Sequence, residues 1–498
     1  MMNSHIRFQR ASIFLVLLVL CSGEFVHGRD LSDPRDTHFT LKRAIAVAFE
    51  NSPTLKEARL NLTIADEQVR EAWSNVLPRL STNASYSRSI IEQSIFLPAV
   101  FFDTTASSDD QISVKVGADN IWGAGVTLSQ PLFHMAAFIG VGAAGRVRQL
   151  QSEMLRGTIQ QVITRVRQVY LNALLSIEEV QLTEKSLQRV RQSREEAQAL
   201  NRAGMVSDYD VLRLEVQVSN LESQFHQAQI NRDAVRRNLL VELGLPLELD
   251  ITLEGRLSEL DLQEAALNTP GNLVLLHQAG FSDDTTPQFQ QVYERALRNR
   301  SDLRQIEINI ALEEARLAAQ RAEYFPSLSF FYNYSLTAQE NLAPDFFGEK
   351  ASQRSDFAIA GINVEVPLFS GFARNARIQQ QRVVVRQGEI RQQQQQQRAE
   401  SRLRTLLSSL EGARYRAERQ RQALEQARRG YEIATAQYRT GVGSQLQITD
   451  AEVALRQSEF NYSRTMFDYL TVRTQLDAAA GTVPVSLDEL DSDLNTRH

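Results

Sequence analysis

The sequence predicts a mainly α fold with a small β part, built from two copies of one helix–β-hairpin–long helix–turn–helix unit. Three observations predict it. The two halves match in register. Long proline-free stretches carry apolar residues at heptad spacing. Short alternating segments stand just ahead of those stretches, one ending in Pro131-Leu132-Phe133 and the other in Pro367-Leu368-Phe369.

The chain opens with Arg7 and Arg10 ahead of an apolar stretch from Ala11 to Leu20. The stretch is shorter than the roughly 20 residues a membrane-spanning helix needs, and Val26-His27-Gly28 offers a cleavage site. Residues 1–28 therefore read as a secretory signal, with the mature start near Arg29. Cys21 is the only cysteine. A lipid-attachment signal wants Gly, Ala or Ser where Leu20 stands, which weighs against lipidation. Cleavage after Gly28 would remove the one thiol, and with it any disulfide or cysteine metal site.

A leading helix is expected over 39–77 and again over 288–325, each closed by a proline, Pro78 or Pro326. AFENSPTLKEAR aligns with ALRNRSDLRQIE, and Asn51/Asn299, Leu55/Leu303, Leu80/Leu328 and Tyr86/Tyr334 coincide. Strands follow at about 79–90 and 112–131, and in the second half at 327–338 and 355–368. In the first, Leu80, Thr82, Ala84 and Tyr86 alternate with serines and Asn83. In the last, Ala358, Ala360, Ile362, Val364, Val366 and Leu368 share one face. Period-2 alternation fits a membrane β-barrel strand and fits equally a two-sided sheet in a soluble exported domain. Phe96, Phe101 and Phe102 fall in the first inter-strand loop, as surface residues or as a plug.

Long helices are expected over 133–201 and 370–438. From Leu155 the apolar positions Ile159, Ile163, Val166, Tyr170, Ala173, Ile177 and Val180 step by three or four, a coiled-coil seam. The run Gln392 to Gln397 lies inside the second long stretch and reads as a solvated helix face, since Gln is a good helix former. Turns at Gly204 and Gly441 lead into shorter helices, 207–243 and 444–480. The repeats thus span 29–245 and 287–485, with a linker at 246–286 and a tail at 486–498. At about 1.5 Å per residue, each long helix reaches about 100 Å, and two shorter helices end to end match it.

Composition argues against other classes. A net charge of −6 speaks against nucleic-acid binding. The histidines are scattered, and no H-E-x-x-H, G-x-S-x-G or P-loop occurs. The expectation is a non-enzyme with no cofactor and no metal. Two hairpins supply four strands. Four strands cannot close a barrel, and an open edge is not tolerated in lipid. If the strands span a membrane, several chains must share one barrel. If they do not, the chain is a periplasmic or surface coiled-coil scaffold without a pore.

The duplicated layout, NSPTLKEAR near the start, the two Pro-Leu-Phe exits and GMVSDYDV after the first long helix together resemble the TolC-type outer-membrane efflux proteins, over about 40–485. The resemblance implies a homotrimer with a 12-stranded barrel in outer-membrane lipid, four strands per chain, standing on a periplasmic α-helical barrel. It implies a passive exit duct in efflux or type I secretion, met by a periplasmic adaptor protein and an inner-membrane transporter. Gly204, Val206, Ser207, Gly441 and Ser444 would then form adaptor-contact tips. The glycines also serve plain helix-ending chemistry. By position, the entrance would be ringed by Gln447 and Asp450, of which only Asp450 is acidic. Asp450 equally suits a helix N-terminus. Asp210 with Tyr438 would repeat one closing contact, although Ser207 and Asp210 also read as a capping box. Gly443 stands where a second closing contact wants a long polar side chain.

Overall fold

The computed structural model describes residues 37–91, 93–99, 111–259, 288–341 and 354–484. The signal-like residues 1–28 with Cys21, Phe101 and Phe102, the linker from 260 onward and the tail 486–498 lie outside the described residues. Everything from His38 onward belongs to one unit.

The first half runs β1 (His38–Phe39), α1 (Leu41–Asn51), α2 (Pro53–Ser74), β2 (Arg79–Arg88), β3 (Gln93–Pro98), β4 (Gln111–Val116), β5 (Asn120–Phe133), α3 (Met135–Arg202) and α4 (Asp208–Leu243). A short β6 (Thr252–Leu253) pairs in parallel with β1. The second half runs α5 (Phe289–Asn299), α6 (Ser301–Ala322), β7 (Ser327–Glu340), β8 (Arg354–Glu365), α7 (Ala373–Arg439) and α8 (Gln445–Ala480).

Several expected boundaries differ. The leading helix of each half is two helices. In the first, Ser52 leaves the helical conformation at φ −53° and ψ 121°, and Pro53 starts α2 at its first turn, where a missing N–H costs nothing. In the second, Arg300 breaks the helix without a proline, at φ −67° and ψ 123°. The expected strand 112–131 is also two. Gly117, at φ +124°, ends β4, which forms a separate hairpin with β3 and carries Phe96. The prolines do not end the ladders. Pro131 sits inside β5 opposite Ser329, with a bulge after it, and β8 stops at Glu365, ahead of Pro367.

Lengths explain the architecture. The 68 residues of α3 are flanked by α1 (11), α2 (22) and α4 (36), which together nearly match it. The 67 residues of α7 are matched by α5 (11), α6 (22) and α8 (36). Nearer the sheet the helices pack in the order α2, α3, α6, α7, and nearer the turns in the order α4, α3, α8, α7. The main core lies at mid-height. There α1, the middle of α3 and α7, and the ends of α4 and α8 bury Ile45, Val166, Tyr170, Leu239, Leu403 and Met466. A second cluster, from Leu187 to Ala197 on α3 and Leu214 to Leu221 on α4, continues the seam toward the turn.

The mid-height core also explains why the repeats share Asn51/Asn299 and Gly244/Gly481. Gly244 ends α4 in the left-handed conformation, and a Cβ there would stand 2.7 Å from the Asn51 carbonyl oxygen. Gly481 ends α8 the same way, with a Cβ position 2.8 Å from the Asn299 carbonyl carbon and 2.9 Å from the Arg300 nitrogen. Each break in a leading helix therefore seats the glycine end of a returning helix. Beside it, the Tyr170 hydroxyl lies 2.8 Å from the Phe39 carbonyl and 2.7 Å from that of Glu254, and burial raises its pKa. Arg300 forks onto Asp302 at 2.6 and 2.9 Å, and Gln395 donates to the same carboxylate at 2.8 Å.

Candidate functional site

The sheet has the order β2-β5-β7-β8, antiparallel throughout, so each hairpin pairs internally and β5–β7 joins the two halves. The cross-strand pairs put one set of side chains on one face. Leu80, Leu128, Tyr332 and Ala360 form one row. Thr82, Val126, Tyr334 and Ala358 form another, and Tyr86 meets Trp122 and Ala338 further up. The opposite face carries Ser81, Asn83, Ser85, Thr127, Ser129, Ser329, Asn333 and Ser335, with Ile121, Phe331, Phe357 and Ile359 as apolar exceptions. Both faces are open: all of β2 and nearly all of β8 are exposed. An apolar face against water costs about 25 cal/mol per Å² that burial would recover. One hydrophobic face, one hydroxyl-rich face and a Tyr86–Trp122 ring pair at 5.8 Å near one end form the pattern of a barrel strand between lipid and a wet lumen. Among the described residues β2 and β8 each have a neighbour on one side only, leaving two unpaired edges.

At the far end of the helices stand the two turns. Gly204 (φ +72°) and Gly441 (φ +78°) both take the left-handed conformation. Each turn closes with a hydrogen bond back over six residues, Met205 N to Leu200 O at 2.9 Å and Val442 N to Gln437 O at 3.0 Å. A Cβ on either glycine would meet open space. Asn201 donates to the Val206 carbonyl at 2.9 Å and to Asp208 at 2.8 Å, stiffening the first turn. Met205, Tyr209, Leu212 and Val442 are exposed around the turns.

The capping chemistry uses up two of the residues placed at the entrance. The Ser207 hydroxyl donates to Asp210 at 2.6 Å and accepts from its backbone N–H at 3.3 Å. Ser444 and Gln447 form a full capping box, with Gln447 Oε1 accepting from the Ser444 N–H at 2.9 Å. No hydrogen bond joins Asp210 to Tyr438, whose buried hydroxyl has no partner among the described residues. Burial, then the nearby Asp210 and Glu196 carboxylates, raise the Tyr438 pKa. The two coiled coils are tied there by Arg439 to Glu196 at 3.2 Å. Gly443 is fixed by space: a Cβ would lie 2.9 Å from the Tyr438 nitrogen. Asp450 is exposed and makes no hydrogen bond or ion pair among the described residues.

Sequence reasoning missed a buried polar knot one turn above. The Ser186 hydroxyl donates to Glu452 at 2.5 Å, and both are almost fully buried. Arg189 bridges Glu452 at 3.3 Å and Glu459 at 3.2 Å, with Tyr431 beneath its guanidinium at 5.8 Å. The knot locks α3 to α8 across a barrier of sequence separation. Its one signal was Glu452 and Glu459 standing seven residues apart on a face that is otherwise core.

The sequence profile of the outer membrane efflux protein family matches residues 44–245 and 292–482. The chain belongs to that family. Its match falls in two blocks that follow the two repeats. Alkaline protease secretion protein AprF of Pseudomonas aeruginosa is 24% identical over 380 residues, covering 74% of this chain and 70% of AprF. Outer membrane protein TolC of Vibrio cholerae is 23% identical over 450 residues, covering 88% of this chain and 89% of TolC. Among solved structures, the CmeC outer membrane channel of Campylobacter jejuni has the same fold, with a TM-score of 0.67 at 15% identity, over 92% of this chain and 90% of CmeC. The protein is an outer-membrane export channel subunit, mainly α with a membrane β-barrel part, and its long helices form a large periplasmic part.

Proposed function

We propose that three copies of this outer membrane efflux protein share one 12-stranded barrel, with β8 of each copy pairing to β2 of the next. The carrying observation is the four-stranded sheet itself: two unpaired edges and an apolar face continuous across all four strands. The apolar face is costly in water, and the edges are not stable in lipid unless they find partners. The helices then wall a hydrated tunnel, and the duct is passive. Solutes or proteins enter from an inner-membrane transporter by way of a periplasmic adaptor, in a tripartite efflux or type I secretion machine.

The turns are the adaptor contact. Gly204, Val206, Ser207, Gly441 and Ser444 hold two stiff, exposed hairpin ends with open space around both glycines. Asp450 supplies a three-fold ring of carboxylates at the entrance and favours cations there. Asp210 and Gln447 cap helices beside it, and Tyr438 packs between the coiled coils. Cross-linking tests the edge pairing. Cysteines placed in β2 and β8 (Ser85→Cys with each of Ser355→Cys, Phe357→Cys and Ile359→Cys in turn) are expected to give covalent dimers and trimers on oxidation in membranes for the pair that falls in register. Monomers from every combination would count against the shared barrel.

A further inference from the structure

Phe372 is the one residue other than glycine with a positive φ among the described residues, at φ 65° and ψ 1°. That conformation crowds a Cβ against the following carbonyl, so residues with side chains avoid it. It follows Gly371, itself at φ 60°. Two left-handed residues in a row turn the chain sharply between β8 and α7. The turn sets the Phe372 ring edge-on to Phe369, with centroids 5.5 Å apart. Both rings stay 75% exposed, and Leu368 stays 90% exposed. The described residues thus hold a strained backbone that presents apolar surface outward, and strain of this kind persists where it serves a function.

Three surroundings are available to this surface: a neighbouring copy, the lumen, or lipid. The other repeat decides among them. Leu132, Phe133 and Phe138 are exposed at the same junction of sheet and helix. There β5 already has β2 on one side and β7 on the other, and α3 lies between α2 and α6. Their exposure is therefore not a subunit edge awaiting a copy. The lumen is also disfavoured. The bulge after Pro131 pairs Phe133 with Leu328, which lies opposite Val364 on the apolar face, and the segment from Val366 to Phe372 follows directly on β8. The apolar face thus reaches the last rungs of the sheet, at whose foot Leu368, Phe369 and Phe372 stand exposed. Beside it, the Arg374 guanidinium lies 5.6 Å over the exposed Tyr324 ring and donates to the Pro367 carbonyl at 3.1 Å. Aromatic rings with an arginine alongside suit the boundary between acyl chains and headgroups.

We propose that Leu368, Phe369 and Phe372 form a wedge that enters the periplasmic leaflet of the outer membrane, among phospholipids, at that boundary. The wedge fixes the height at which the helices leave the membrane. This rests on the sheet being a lipid-spanning barrel.

Tryptophan quenching tests it in the full chain. The two native tryptophans are replaced (Trp73→Phe, Trp122→Phe), and single tryptophans are placed by Phe372→Trp, Phe369→Trp, Ile362→Trp and Ile433→Trp. Each protein is reconstituted in phosphatidylethanolamine–phosphatidylglycerol vesicles with lipid spin-labelled near the headgroup, and acrylamide is added in parallel. Residue 372 is expected to lose more than half of its emission to the labelled lipid and little to acrylamide, the reverse of residue 433. Phe369→Trp, on ordinary backbone, should behave as Phe372→Trp and keeps the test valid if position 372 tolerates no change. Quenching of 372 and 369 by acrylamide alone would place the wedge in water and overturn the proposal. Quenching by neither would place it under a neighbouring copy and overturn it too. If residue 362 is quenched by lipid while 372 and 369 are not, only the wedge fails. If residue 362 also escapes lipid, the barrel reading itself fails.

Discussion

Gly244 and Gly481 are expected to be the glycines whose loss the fold tolerates least, and the reasoning can be tested against Gly204. All three are left-handed, so Ala at any of them pays the same conformational term, about 1–2 kcal/mol. They differ in surroundings. At Gly204 a Cβ meets nothing within 4 Å. At Gly244 it would stand 2.7 Å from the Asn51 carbonyl oxygen and 2.9 Å from its carbon, and at Gly481 it would press equally on Asn299 and Arg300. These neighbours are backbone at a helix break, anchored to the main core, so they cannot swing aside. Overpacking of that kind adds about 1–3 kcal/mol. At about 2 °C per kcal/mol for a large domain, Gly244→Ala and Gly481→Ala should melt roughly 2–6 °C below Gly204→Ala. The assay is the apparent unfolding midpoint of detergent-solubilised protein, followed by intrinsic fluorescence and circular dichroism at one heating rate. Equal losses in all three variants would refute the close-approach argument and leave only the left-handed term.

Other outcomes follow from the same geometry. Arg189→Ala leaves the buried Glu452 without its cation and should cost about 3–5 kcal/mol, much of it recovered in the Arg189→Ala/Glu452→Gln double variant; simple additivity would show that the knot is not one unit. Burial pushes the Asp302 carboxyl up, but the Arg300 and Gln395 hydrogen bonds outweigh it and hold its pKa below the ordinary value. The stabilisation is therefore full above about pH 3.9 and is lost as pH falls through the depressed value. The melting gap between wild type and Asp302→Asn should be constant from pH 7 to 5 and close only in stronger acid; a gap that closes near neutrality would be contrary to it. Asp450→Asn should move the reversal potential of the channel under a salt gradient toward zero, and an unchanged potential removes the ring. Gly204→Trp and Gly441→Trp should reduce export without lowering the yield of assembled protein, because the space around both is open; full export would exclude these turns as the adaptor contact.

Much of the fold was legible because it is written in periodicities. The heptad positions Ile163, Val166, Tyr170 and Ala173 are buried, and the even-numbered residues of β2, β5, β7 and β8 do share a face. The breaks were harder. Ser52-Pro53 carries a visible signal, while Arg300 breaks its helix because Gly481 packs against it, a tertiary cause with no local mark. Gly117 inside an alternating run was the clue to the extra β3–β4 hairpin. At the turns, the capping residues Ser207, Asp210, Ser444 and Gln447 were readable from three-residue spacing. The Arg189–Glu452 contact was not, because its partners lie 263 residues apart and meet only when the two repeats pack.

The account stands or falls on whether three chains complete one barrel. The direct measurement is the mass of the particle extracted from membranes in mild detergent, with bound detergent subtracted, followed by single-channel recording of the same fraction. Three chain masses and a conducting pore are the expected result. A monomer that neither conducts nor needs detergent would leave β2 and β8 unpaired, and would contradict the shared barrel on which the proposed function is built.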